Sequence, residues 1–316
     1  MQTYFFIGKG GVGKTTISAS YAVGLADEGY KTLIISIDPA HNLGDALNKD
    51  VFGKLVNVDK NLDATEVDID KMIVNYLDEM SKKMKNTYKY LSVLNIDRYF
   101  DILRNSPGIE EYVTLEAIKR FINTNYSCIV FDTPPTGITL RVFAMPRIST
   151  VWTNSLINMR RRILSRRAMV ENIKGPIEDE INGEIVKIAS KESEDPVMQE
   201  LFAYKKDMVN LMEMFSSSDN FVSVVTMAEE LAFAESKRIR DSLRENNIKL
   251  RRIYLNKYLY IENPPEQLFG KIGEQKRVVE KMKSEFTEIE VKEVPLLSES
   301  PRGVKQLKEI YKKYIL

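Results

Sequence analysis

The segment Gly8-Lys9-Gly10-Gly11-Val12-Gly13-Lys14-Thr15, with Thr16 following, has the spacing G-x-x-x-x-G-K-T. Glycines at those places let the backbone wrap closely around phosphates and aim its N–H groups at them from a helix N-terminus. Lys14 then suits the β- and γ-phosphates, and the Thr15 hydroxyl suits Mg²⁺. Such a loop must be held between a strand and a helix. The apolar run Thr3 to Ile7 predicts the strand, and Thr15 to Leu25 predicts the helix, ended at Gly29. The whole stretch from Gly8 to Thr16 is therefore expected to bind ATP, with Mg²⁺ as cofactor.

Two carboxylates follow apolar strand-like runs: Asp38 after Thr32 to Ile37, and Asp132 after Ser127 to Phe131. In an open α/β sheet ligands bind beyond the carboxyl ends of the strands. Gly8, Asp38 and Asp132 are thus expected to cluster there, with Thr15 and Asp132 holding Mg²⁺. Asp132 opens the run Asp132-Thr133-Pro134-Pro135-Thr136-Gly137, whose prolines restrain a loop able to sense the γ-phosphate, a switch II. Further strands are predicted at Phe221 to Thr226 and Arg252 to Leu255. Strands alternating with helices argue for a mostly parallel sheet covered on both faces. The expected fold class is an α/β P-loop NTPase with an inserted α-helical subdomain.

The 316 residues carry 43% hydrophobic and 29% charged side chains and a net charge of +1, which gives no basic field for nucleic acid. Cys128 is the only cysteine, so a disulfide within the chain and a cysteine-pair metal site are excluded, as is a cluster-bearing electron donor. It falls inside an apolar run, as an inert buried thiol would. His41, the only histidine, is expected to be a structural member of its loop. With no apolar run long enough to span a bilayer, the expected location is cytoplasmic, with transient membrane association. Two mainly helical stretches, about 70–125 and 152–215, interrupt the alternation. The second is broken by the polar segment Lys174 to Pro196, expected to be a mobile loop or a short hairpin. Ten of the 13 methionines lie between Met72 and Met214. Methionine recurs on surfaces that bind varied apolar partners. Met208, Leu211, Met212 and Phe215 fall on one helical stripe, a candidate groove or an ordinary helical core. Arg160 to Arg167 holds five arginines, either a solvated face or a contact for acidic groups.

Several of these segments are similar to those of known ATPases. Lys9 within the loop resembles the deviant P-loop shared by the MinD/ParA group, nitrogenase iron protein and the ArsA family. Asp38 to Asp45 (DPAHNLGD) resembles switch I, and Asp132 to Arg141 (DTPPTGITLR) switch II, of the ArsA family and its tail-anchored-protein targeting relatives (the Get/TRC pathway). The resemblance implies that Lys9 reaches a partner subunit's nucleotide across a homodimer, that Asp45 polarises the attacking water, and that Asp38 joins Thr15 and Asp132 in holding Mg²⁺. It implies that Glu229 contacts the nucleotide, that Asn256 reads the adenine, and that the loop beginning at Pro295 wraps the base. It further implies one ATPase domain over 1–316, whose helical inserts bind hydrophobic transmembrane helices of clients for delivery to a membrane receptor. The cysteine pair that holds zinc between subunits in eukaryotic relatives is missing, so no zinc is expected. Two alternatives stay open: an ArsA-type ATPase energising arsenite or antimonite efflux, and a MinD/ParA-like positioning ATPase, for which the amphipathic end Lys305 to Leu316 would be a membrane anchor. A packed terminal helix is the commoner outcome for such a segment.

Overall fold

Apolar runs buried on both faces are the mark of parallel strands covered by helices, and the run Thr3 to Ile7 obeys it, with Phe5 and Ile7 wholly buried. A computed structural model describes residues 1–87, 103–104, 106–175, 178–181, 184–187 and 189–316. In chain order the elements are β1 (Gln2–Ile7), α1 (Lys14–Asp27), β2 (Thr32–Ser36), α2 (Leu43–Leu47), β3 (Val56–Asp59), β4 (Leu62–Glu66), α3 (Ile69–Thr87), α4 (Ile109–Ile122), β5 (Cys128–Asp132), α5 (Thr136–Lys174), β6 (Glu178–Ile181), β7 (Glu184–Lys187), α6 (Pro196–Ser216), β8 (Asn220–Thr226), α7 (Glu230–Glu245), β9 (Leu250–Tyr258), α8 (Glu266–Glu285), β10 (Glu290–Pro295) and α9 (Gly303–Ile310), with a π-helical turn at Tyr311–Ile315.

The main sheet has the order β10-β9-β8-β1-β5-β2-β4-β3, parallel except for β3 against β4. Central β1 lies between β5 and β8, so the segments leaving β1, β2 and β5 emerge from one edge of the sheet. The expected α/β P-loop architecture is present.

Contacts divide the chain into two compact units. Met1–Val74, Pro107–Phe143 and Phe215–Leu316 form the first, which holds the main sheet; Asn75–Ser106 and Ala144–Met214 form the second. The chain passes between the units within α3, α5 and α6. Helix α4, inside the stretch read as the first insert, belongs to the sheet unit. Residues 88–102 of that insert lie outside the described residues.

In the sheet unit, the C-terminal segment packs against α1. Tyr311 lies on Gly24, where a Cβ would come within 2.2 Å of the ring, and Leu307 and Ile315 are fully buried. Those residues are core, so the amphipathic C-terminus is not a free membrane anchor in this structure. In the helical unit, Ile157 and Leu164 of α5 pack with Met198, Leu201 and Phe202 of α6. The polar break contains the antiparallel pair β6–β7.

Three of the five arginines hold the segment that leads into α6. Arg160 chelates Asp195 with bonds of 3.1 and 2.6 Å, Arg161 meets Glu192 at 3.0 Å, and Arg167 donates to the Ala189 carbonyl. Asp195 is buried and also caps α6, accepting from the Met198 N–H at 2.8 Å, with Pro196 at the first helical position. The Arg160 guanidinium holds the Asp195 carboxyl below its ordinary range. A depressed carboxyl stabilises the fold above the ordinary carboxylate range, and that contribution is lost as pH falls through it. Asp195→Ala should destabilise the helical unit by roughly 2–4 kcal/mol, since it removes a cap and strands a charge. Urea unfolding at pH 7 and pH 3 checks this; the deficit should shrink at the lower pH.

Candidate active site

The Gly-rich loop is shaped by backbone that only glycine adopts readily. Gly11 and Gly13 have φ of 78° and 94°, the left-handed region. Gly8 is constrained differently, because a Cβ there would lie 2.2 Å from the Val225 carbonyl oxygen. The helix that follows starts at Lys14, as the loop requires.

The loop is held from the end of β9 by two side chains. The Asn256 amide donates to the Val12 carbonyl at 2.8 Å, and Lys257 Nζ donates to the Gly11 carbonyl at 2.7 Å. Lys257 itself has φ 58°, uncommon for a residue with a side chain. Pro295 ends β10 beside Tyr258, so its strand finishes next to Asn256.

Four residues expected to act together do meet. Lys14, buried, donates to Asp38 Oδ2 at 2.9 Å. Thr15 donates its hydroxyl proton to Asp132 Oδ2 at 2.7 Å, and Ser36 donates to the same oxygen at 3.3 Å. Asp132 is fully buried, and its other oxygen, Oδ1, has no hydrogen-bond partner among the described residues. Burial pushes the Asp132 carboxyl up to about 6, with Asp38 adding to the rise, while the Thr15 bond, Lys14 and the Ser36 bond oppose it. A buried acceptor with a lone pair unused, beside a hydroxyl and a second carboxylate, fits a hydrated divalent cation: these are hard oxygen donors of the kind Mg²⁺ takes.

The segment expected to be switch II is anchored at its start. Thr133 donates to the Phe6 carbonyl at 2.7 Å, and Thr139 to the Pro134 carbonyl at 2.8 Å. Thr136, the first residue of α5, is buried with a hydroxyl that has no hydrogen-bond partner among the described residues, and Gly137 after it is exposed.

Three expected site residues stand elsewhere. Asp45 is exposed on α2 and lines a polar pocket with Gly44, Lys49, Glu66 and Arg302, outside the Lys14–Asp132 group. Glu229 is turned to Lys271, which it meets at 2.8 Å. The acid of α7 that reaches the loop is Glu235, 2.7 Å from Lys9 Nζ. Lys9, expected to reach a partner subunit, is 59% exposed and ion-paired within its own chain. Glu229, the acid that the resemblance singled out, is the N-cap of this helix, and Glu235 lies further along it.

The stripe Met208, Leu211 and Phe215 is buried, with Met212 half-buried and its sulfur 3.8 Å from the Thr150 hydroxyl. Phe215 packs edge-on against Phe143 and Phe5 of the sheet unit. These residues form core and not an open groove, since a helical stripe has the same period whichever it faces.

The family model described as anion-transporting ATPase, ArsA type, matches residues 1–315. This chain belongs to the ArsA ATPase family. It is 29% identical to the putative arsenical pump-driving ATPase 2 of Aquifex aeolicus, over 99% of this chain and 98% of that protein. It is 30% identical to the ATPase GET3 of Phaeosphaeria nodorum, over 98% of this chain and 93% of the relative. The get3 ATPase of Pyrenophora tritici-repentis is likewise 30% identical, over 98% and 89%. The protein is accordingly an ATPase, and the loop from Gly8 to Thr16 lies within the matched residues.

Gly13→Ala should destabilise the sheet unit by about 2–3 kcal/mol, because it forces a left-handed alanine and sets a Cβ 2.2 Å from the Asn256 amide. In thermal melts, adding Asn256→Ala should recover part of the loss by relieving the contact. A double variant no more stable than Gly13→Ala would leave backbone strain as the whole cause.

Proposed function

We propose that this ATPase is a dimeric targeting factor that binds apolar transmembrane helices of client proteins and delivers them to a membrane. The observation that supports it is on α5. Ile148, Trp152, Leu156, Met159, Ile163 and Val170 recur every three, four or seven residues and are 38–68% exposed. An apolar face of that length is unusual on a protein surface and suits an apolar helix. The same helix begins at Thr136 in switch II, so the segment able to sense phosphate and the face offered to a client are one continuous element. Among the described residues no helix is long and apolar enough to cross a membrane.

Hydrolysis assigns roles to the chain's own side chains. Lys14 exchanges Asp38 for the β- and γ-phosphates, which stay in line under the backbone N–H groups of Gly10 to Thr15. Thr15 and Asp132, with Asp38, would hold Mg²⁺, which would neutralise charge on the phosphate oxygens. Asp45 orients the attacking water once switch I is drawn toward the loop; positioning matters more here than base strength. Lys9 needs only to leave a surface ion pair with Glu235, worth about 0–1 kcal/mol, to reach a partner's nucleotide. A metalloid-pump role is favoured by the name of the Aquifex relative and by the description of the family model, an anion-transporting ATPase. Against it, Cys128 is the one cysteine, buried, with burial pushing its thiol up and away from the thiolate that such a ligand needs.

Trp152, the only tryptophan, reports directly on the proposed face. With Mg·ATP, a peptide of a hydrophobic tail-anchor helix should shift Trp152 emission to the blue, and a helix interrupted by charges should not. Leu156→Asp with Met159→Asp should weaken capture at least tenfold, about 1.4 kcal/mol. Capture unaffected by that pair, or turnover stimulated by arsenite without any capture, would refute the reading.

A further inference from the structure

We infer that Glu66 is a positioning residue for hydrolysis: its buried carboxylate caps α2 and fixes the switch I helix, and with it Asp45, to the sheet. Glu66 is 3% exposed at the end of β4. Its Oε1 accepts the N–H of Leu43 at 2.6 Å and of Gly44 at 3.2 Å. These are N–H groups that the first turn of a helix leaves without an internal partner. A local N-cap side chain ordinarily satisfies them, yet Asn42, at the N-cap, makes no such bond. The cap is supplied instead from 23 residues away in sequence.

The backbone of Glu66 grips the other end of the same segment. Its N–H donates to the Val51 carbonyl at 2.9 Å, and its carbonyl accepts from the Gly53 N–H at 2.8 Å. Between these anchors Leu43 and Leu47 are buried in the core, and Gly44 is too close to the Lys49 carbonyl, 2.8 Å from a Cβ, to carry a side chain. Glu66 also pairs in register with Ser36 of β2, whose hydroxyl bonds Asp132. One residue thus ties Asp45's helix to the strand that forms the floor of the magnesium-binding group. A buried carboxylate is costly unless charge or hydrogen bonds compensate it, and here its compensation is switch I itself.

The inference rests on the reading of Asp45 as the residue that orients water, and the test separates the two. Basal Mg²⁺-dependent ATP turnover of the full chain is measured for Glu66→Ala, Glu66→Gln, Asp45→Asn and the Asp45→Asn/Glu66→Ala double variant, with melting temperatures in parallel. Glu66→Ala should lower kcat at least tenfold while KM for ATP changes less than about threefold, the pattern of an interaction lost from the transition state. Glu66→Gln, whose amide oxygen can accept the same two N–H groups, should recover most of kcat. The double variant should be no slower than Asp45→Asn alone. Unchanged kcat in Glu66→Ala beside an impaired Asp45→Asn would overturn the clamp. Additive losses, or equal falls of KM, melting temperature and kcat in both Glu66 variants, would also overturn it, as a merely structural role. Full turnover in Asp45→Asn would overturn the reading of Asp45 and any action of Glu66 through it.

Discussion

A carboxylate without solvent is expensive, and Asp132 is the most deeply buried one at the sheet's active edge. Its oxygen Oδ2 is satisfied by Thr15 and Ser36, its Oδ1 by nothing else described, and burial lifts its carboxyl to about 6. The surrounding structure follows from tolerating that arrangement. The parallel sheet brings β1, β2 and β5 side by side, which delivers Lys14, Asp38 and Asp132 to one place although Asp132 is 117 residues from Thr15. Lys14 is then shared between the pull of two carboxylates, one directly bonded and one through space. A phosphate bound at the loop enters a site whose charges are already opposed and already fixed, which is the condition for electrostatic catalysis.

The loop of glycines is supported by side chains and not by its own sequence alone. Asn256 and Lys257 at the end of β9 hold two of its carbonyls, and Val225 limits it at Gly8. Switch I is likewise held from β4 by Glu66, and switch II from β1 through Thr133. Each of these segments is therefore tied to a different strand, so a change at the loop can be felt in several elements. The one that leads away from the sheet unit is α5, which starts at Thr136 and carries the exposed stripe around Trp152.

What could be read from the sequence was local. Gly8 to Thr15 has its strand and helix within ten residues on either side, and Asp38 and Asp132 each end an apolar run, so the fold class and the core of the site followed from short windows. Partners set by tertiary approach could not be read that way. Glu235 and Glu229 lie on one helix and look alike in sequence; only the fold shows that the first meets Lys9 and the second meets Lys271. Glu66 and Lys257 carry no local motif that marks them, because their bonds reach loops far along the chain. The helical unit shows the same limit: α5 and α6 both carry apolar stripes, and periodicity cannot say which is covered. The cap Asp195-Pro196 was legible in principle, since an acid before a proline is a helix start, but the acid-rich surroundings hid it.

A client face on the helix that begins in switch II requires nucleotide bound at the Gly8–Thr15 loop to be read out along α5. Hydrogen exchange of residues 136–174, followed by mass spectrometry with and without Mg²⁺ and a non-hydrolysable ATP analogue, tests it most directly. The account predicts that exchange changes both at Thr136 to Phe143 and beyond Ala144, around Trp152, and that Lys14→Ala abolishes both changes. Protection confined to the loop and α1, with α5 exchanging identically in the two states, would contradict it.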